Sequence, residues 1–130
     1  MVQDKKKLER SPFSDYIGIE VVDLEQGFVR LRLSFSEKLT QPYGVLHGGV
    51  IVSLADSAVA KALSTMIKPD ERIAAIEIKC NFLIAIEEGT ITAEAKIIHK
   101  GTRTAVGEVN IWDNEHRLVA KTIATYAIMK

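Results

Sequence analysis

Between Phe28 and Phe35 the chain reads F-V-R-L-R-L-S-F, with Phe28, Arg30 and Arg32 on one side and Val29, Leu31, Leu33 and Phe35 on the other. A period of two with one apolar face predicts a half-buried strand. Gln26-Gly27 separates it from a similar run, Ile19 to Glu25, and the pair is predicted to form a hairpin. Ahead of the hairpin, Ser11-Pro12 is a helix start, with Ser as N-cap and Pro at the first helical position. The expected helix covers Phe13 to Ile17 and ends at Gly18. Residues 1–10 are polar and predict a flexible tail ahead of a single domain, 11–130. Glu37 to Val45 holds Pro42 and Gly44 and reads as loop.

The period changes at Leu46. The segment to Lys68, LHGGVIVSLADSAVAKALSTMIK, has no proline and is rich in Ala, Leu and Val, so it reads as a helix ended by Pro69-Asp70. Between Gly48 and Ile67 its only charged residues are Asp56 and Lys61. A helix apolar nearly all round belongs in a buried position. Beyond it the period of two returns in four runs: Arg72 to Ile84, Thr90 to His99, Thr102 to Trp112 and Arg117 to Met129. Turn signals separate them at Glu87-Glu88-Gly89, Lys100-Gly101 and Asp113-Asn114-Glu115. Short turns predict an antiparallel meander for these four. The class is α+β, one antiparallel sheet wrapped around one long central helix.

Composition narrows the chemistry. The 130 residues carry 17 Lys and Arg against 17 Asp and Glu, a formal charge of zero. That argues against nucleic acid as a partner, which normally meets a basic excess. A single cysteine, Cys80, excludes an internal disulfide framework and a Cys-rich zinc site. No window approaches the roughly 20 apolar residues of a membrane span. No apolar run follows the charged N-terminus as in a signal peptide, so the expected location is cytoplasmic and no membrane partner is expected.

Asp56 is the residue that needs a reason. Its helical neighbours three, four and seven positions away are Gly49, Val52, Ser53, Val59, Ala60 and Leu63, all apolar except Ser53. A carboxylate there loses hydration unless a cation or solvent compensates. Otherwise it is a general base or nucleophile kept basic in a dry cleft. His47-Gly48-Gly49 stands at the start of the same helix, where backbone N–H groups lack partners and carry partial positive charge. Such donors can hold the oxyanion formed when a carbonyl is attacked. His47 is a candidate for catalysis or for fixing the loop by hydrogen bonds. Ser53 and Ser57 flank Asp56, but there is no G-x-S-x-G elbow, and the three histidines lack metal-ligand spacing.

The stretch Q-P-Y-G-V-L-H-G-G-V-I-V-S-L-A-D-S-A, Gln41 to Ala58, resembles the signature of hotdog-fold acyl-CoA thioesterases of the PaaI-like branch. That signature is Asn or sometimes Gln, then Gly-x-x-His-Gly-Gly, then Leu-x-Asp-x-Ala. Downstream, N-F-L-I at Asn81 to Ile84, K-G-T-R-T-A-V at Lys100 to Val106 and L-V-A-K-T-I-A-T-Y at Leu118 to Tyr126 also fit. The resemblance implies a hotdog fold paired edge to edge in a homodimer, often a homotetramer, and hydrolysis of acyl-CoA to free CoA and a carboxylic acid with no metal or cofactor. It implies Asp56 as the catalytic carboxylate, the Gly48 N–H as the group polarising the thioester carbonyl, and Gln41 as a group orienting the carbonyl or the water. Some relatives carry a Ser early in the third strand that positions the water. Ala75 stands there in this chain, or Ala74 with a one-residue slip.

Further substrate-binding candidates are Gly49 and Ser57 beside the motif, and Lys100 and Arg103 around Gly101 as cations for the CoA phosphates. Gly48 and Asp56 are eight residues apart, roughly 12 Å along a helix axis. Both must come within about 3 Å, or one water, of the same carbonyl. One straight helix cannot do that with its own two residues, whereas two antiparallel copies can, giving shared sites. The alternatives are a hotdog protein that binds acyl-CoA without turnover, as sensor or carrier, and a hotdog dehydratase. The chain shows no Asp-to-His arrangement of the hydratase kind.

Overall fold

The computed structural model describes residues 11–130, so the expected tail lies outside the described residues. The first helix, α1 (Pro12–Ile17), starts where Ser11 caps it, its side chain accepting from the Ser14 N–H at 3.3 Å. It ends at Gly18, whose φ of 90° is the left-handed geometry that glycine adopts without strain. Strands β1 (Glu20–Glu25) and β2 (Phe28–Ser34) form the expected hairpin. A single 3-10 turn, Glu37–Leu39, interrupts the loop before the long helix α2 (Gly48–Ser64). Then follow β3 (Arg72–Phe82), β4 (Thr90–Lys100), β5 (Thr104–Trp112) and β6 (Leu118–Met129).

The six strands make one antiparallel sheet in the order β1-β2-β4-β5-β6-β3. This corrects the four-strand meander. Of those four strands, only β4, β5 and β6 are consecutive neighbours. β4 pairs with β2, with Val29 opposite Ala95, Leu31 opposite Ala93 and Leu33 opposite Ile91, while β3 lies at the far edge beside β6. The reason lies in residues 83–89, which are a crossing rather than a tight turn. The Leu83 N–H donates to the Val119 carbonyl at 2.9 Å, the Ile86 carbonyl accepts from the Leu46 N–H at 2.8 Å, and the Gly89 carbonyl accepts from the Phe35 N–H at 2.8 Å. The segment is tied in turn to β6, to the entrance of α2 and to the end of β2.

The concave face of the sheet meets α2, as expected. Leu54, Ala55, Ala58 and Ala62 are fully buried against strand residues such as Val29, Leu31 and Val109. The approach is close because the strands present small residues. A Cβ on Gly107 would lie 2.8 Å from Val59 Cγ1, so β5 needs glycine where the helix crosses. On the outer face Arg30 is bridged between Asp23 and Glu94, and Lys121 reaches Glu108 and Asn110.

The helix is shorter than the apolar run at both ends. The His47 side chain caps its start, and at its end the Thr65 hydroxyl donates to the Ala62 carbonyl at 2.6 Å and accepts from the Gly27 N–H at 2.7 Å. It is also less buried than an all-apolar helix should be. Gly49, Ser53, Asp56, Ala60 and Ser64 form a stripe that the sheet does not cover.

Candidate active site

Asp56 lies on that open stripe. Its side chain is half-buried, and burial pushes its pKa above the ordinary carboxylate value. No cation among the described residues is paired with it. What reaches it is Tyr126 of β6, whose hydroxyl donates to the Asp56 carboxylate and lies 3.1 Å from the Asp56 backbone carbonyl. Tyr126 was not singled out in the sequence. The signal was there: the alternation of β6 puts Thr122, Ala124, Tyr126 and Ile128 on the inner face. A buried phenol needs a hydrogen-bond partner, as does an unpaired carboxylate.

The helix start is more selective than two open glycines. His47 Nδ1 accepts from the Gly49 N–H at 2.7 Å, and the His47 carbonyl accepts from the Val50 N–H at 2.9 Å. The expectation that Gly49 offers its N–H to a ligand is therefore corrected: that donor is taken by the capping imidazole. With Nδ1 an acceptor, the neutral ring carries its proton on Nε2. Among the described residues the Gly48 N–H has no partner. The Phe82 ring stands beside it, 3.4 Å from where a Gly48 Cβ would be.

Gln41 opens the turn that leads into the helix. Its backbone N–H donates to the Val45 carbonyl at 2.9 Å, and its side-chain oxygen accepts from the Tyr43 N–H. With that oxygen engaged, the amide NH2 is the end left to a ligand, suited to donating toward a carbonyl or water. Ser57 faces α1, its hydroxyl 3.5 Å from that of Ser14. Ser53 donates to the Gly49 carbonyl at 2.7 Å. Ala75 lies directly across from Tyr126 in the β3–β6 ladder, and Ala74 across from Ala127.

Lys100 and Arg103 flank the β4–β5 turn, exposed and without an ion-pair partner among the described residues. The turn is closed by the Gly101 N–H on the Thr104 carbonyl at 2.8 Å, and the Arg103 carbonyl accepts from the Ile128 N–H at 2.8 Å. It stands just beyond the rung where Ala105 pairs with Tyr126, at the end of the sheet that serves Asp56. Among the described residues no cluster of His, Cys, Asp and Glu could hold a metal ion, and no helix is long and apolar enough to cross a membrane.

Comparison with known proteins gives the family. The thioesterase superfamily matches residues 43–120, which include the helix start, Asp56 and most of the sheet. The chain is 40% identical over 114 residues to the 1,4-dihydroxy-2-naphthoyl-CoA hydrolase of Listeria monocytogenes, covering 88% of this chain and 93% of that one. A thioesterase from Staphylococcus aureus, solved as a glutamine-to-alanine variant, shares 25% identity at a TM-score of 0.90, covering 92% of this chain and 100% of that one. The same protein has been solved as a glutamate-to-alanine variant. The PaaI protein of Escherichia coli, 24% identical, has the same fold at a TM-score of 0.89 over 96% of this chain and 89% of its own. A sheet packed on one long helix, with a match across most of the signature segment, leaves one assignment: the chain belongs to the thioesterase superfamily, has the hotdog fold, and is a thioester hydrolase.

Proposed function

We propose that this acyl-CoA thioesterase works through Asp56 of one chain and the Gly48 N–H of a second copy. The carrying observation is the Asp56 carboxyl: half-buried, without a cation among the described residues, and on a helix face that its own sheet leaves open. A carboxylate so placed is more basic than one in water. As general base it takes a proton from water while the oxygen of that water bonds to the thioester carbon. The C–S bond then breaks, and the CoA thiolate leaves with the proton. As nucleophile it would instead form an acyl anhydride that water opens. Both routes put negative charge on the carbonyl oxygen, and a free N–H at a helix start suits that charge.

Because α2 runs unbroken from Gly48 to Ser64, the roughly 12 Å between its own Gly48 and Asp56 holds, which supports a site shared between antiparallel copies. The edge of β3, without a further strand among the described residues and with Ile76 and Phe82 exposed, supports a homodimer, with a tetramer as its further assembly. The Gln41 amide would orient the carbonyl or the water, and His47 would hold the helix start in shape. In the Staphylococcus aureus thioesterase the two substituted residues are fifteen positions apart, the spacing between Gln41 and Asp56. Lys100 and Arg103 would meet the CoA phosphates. The substrate named for the Listeria relative favours an aryl-acyl-CoA over a simple aliphatic one. Cytoplasmic action fits a CoA substrate.

Thiol release from a panel of aryl and aliphatic acyl-CoAs tests the activity and ranks the acyl group. Asp56→Asn keeps size and polarity and removes the charge, so kcat on the best substrate should fall at least about a hundredfold. A variant that keeps most of its activity would remove Asp56 from the mechanism.

A further inference from the structure

We propose that Tyr126 is the positioning residue for Asp56, holding one carboxylate oxygen so that the other is presented to the reacting water or carbonyl. The inference rests on the reading of Asp56 as the reacting carboxylate. Tyr126 sits on the inner face of β6, 4% exposed, with Ala75 opposite it on β3 and Ala105 opposite it on β5. Small neighbours on both sides leave room for the ring, and the hydroxyl ends on α2 at the carboxylate and backbone carbonyl of Asp56. The remaining carboxylate oxygen has no hydrogen-bond partner among the described residues. This is also the rung where a hydroxyl on β3 is missing, since Ala75 has none.

Two acceptors around one phenol match the two states a general base passes through. When Asp56 is ionised, the hydroxyl donates to its carboxylate, the stronger acceptor. When Asp56 has taken a proton, the phenolic hydrogen can turn to the Asp56 backbone carbonyl, and the phenol oxygen accepts from the new carboxylic acid. No proton leaves Tyr126 in either state. Among the described residues no other side chain hydrogen-bonds the Asp56 carboxylate. The strands β2, β4 and β5 bring apolar side chains to it, β3 brings Cys80, and α1 brings Ser14. On the helix itself Lys61 lies five residues further on, and His47 is engaged at the start.

Donation to the ionised carboxyl favours the charged form, so the tyrosine partly offsets the effect of burial. Tyr126→Phe keeps the ring and removes only the hydroxyl. Its kcat should fall about tenfold, in the range for losing a hydrogen bond to a charged group, with KM changed less than about twofold. The acid limb of its kcat/KM profile should move to higher pH. In an Asp56→Asn background the same change should have no further effect on kcat, because Tyr126 acts through the ionised carboxylate. Incorporating 3-fluorotyrosine, a stronger donor, should move the limb the other way without removing any group, and it serves if Tyr126→Phe folds poorly. Carbon-13 titration of the Asp56 carboxyl reads the same shifts without an assay. Unmoved Asp56 titration in both proteins would overturn the proposal. Titration that moves while the activity profile stays put would overturn the catalytic reading of Asp56, and with it the part of Tyr126 in catalysis.

Discussion

The two long faces of α2 are built from nearly the same side chains and meet different surroundings. One carries Leu54, Ala55, Ala58 and Ala62 at full burial against β2, β4 and β5. The other carries Gly49, Ser53, Asp56 and Ala60, apolar or small except for the carboxylate, and stays partly open. The covered face is where the fold gets its stability, because each buried apolar group contributes on the order of 1 kcal/mol or more. The open face contributes less and holds the reactive group. The difference separates fold from chemistry on one helix: substitutions on the first face should change stability, and those on the second should change activity.

The largest test of that separation is Gly107→Ala on the covered side. The new methyl would meet Val59 Cγ1 at 2.8 Å and Ile97 Cδ1 at 3.3 Å, and Val59 is buried. A loss of about 1–3 kcal/mol is expected, as for other overpacked cores. Urea denaturation reads it directly. Gly48→Ala is the matched change at the helix start, where the site is. Its methyl would touch Phe82 at ordinary contact distance, 3.4 Å, so the same measurement should show little change. Equal losses at the two glycines would erase the distinction between the faces.

A smaller effect sharpens the same contrast through pH. The folded chain holds the Asp56 proton to higher pH than the unfolded chain, because burial raises the carboxyl. Stability therefore falls as pH rises from the usual carboxylate range through the folded pKa of Asp56, and stays lower above it. Asp56→Asn has no charge to bury, so it should melt above the wild type at pH 7. That gap should close once the pH falls below the usual carboxylate range. Thermal melts at a series of pH values check it, and a gap that does not vary with pH would contradict burial of the Asp56 charge as its cause.

Much of this was legible in the chain because alternation and punctuation are local. The Ser11-Pro12 start, the Gly18 stop and the Val29, Leu31, Leu33 face each depend on residues within a few positions of one another. Asp56 was legible because a carboxylate on an apolar helix needs a physical reason wherever it occurs. The place of β3 was not, because Glu87-Glu88-Gly89 looks like a hairpin turn, while the preceding Leu83 to Ile86 is bonded to β6 and to the entrance of α2. The occupation of the Gly49 N–H depends on the rotamer of His47, which no spacing reports. Tyr126 meets Asp56 across 70 residues of sequence, and only the register of β6 against the helix brings them together.

Whether two chains share each site is decided by one mixed dimer. Gly48→Val should obstruct the carbonyl at the helix start, and Asp56→Asn removes the base, so each homodimer should be nearly inactive. If each site takes Gly48 from one chain and Asp56 from the other, the heterodimer has one site with both lesions and one with neither. Co-expressing the two variants under different tags and isolating the mixed species should recover roughly half of the wild-type activity per dimer, the sites acting independently. A heterodimer verified as mixed and folded that stays as inactive as its parents would contradict the account and put each site within a single chain.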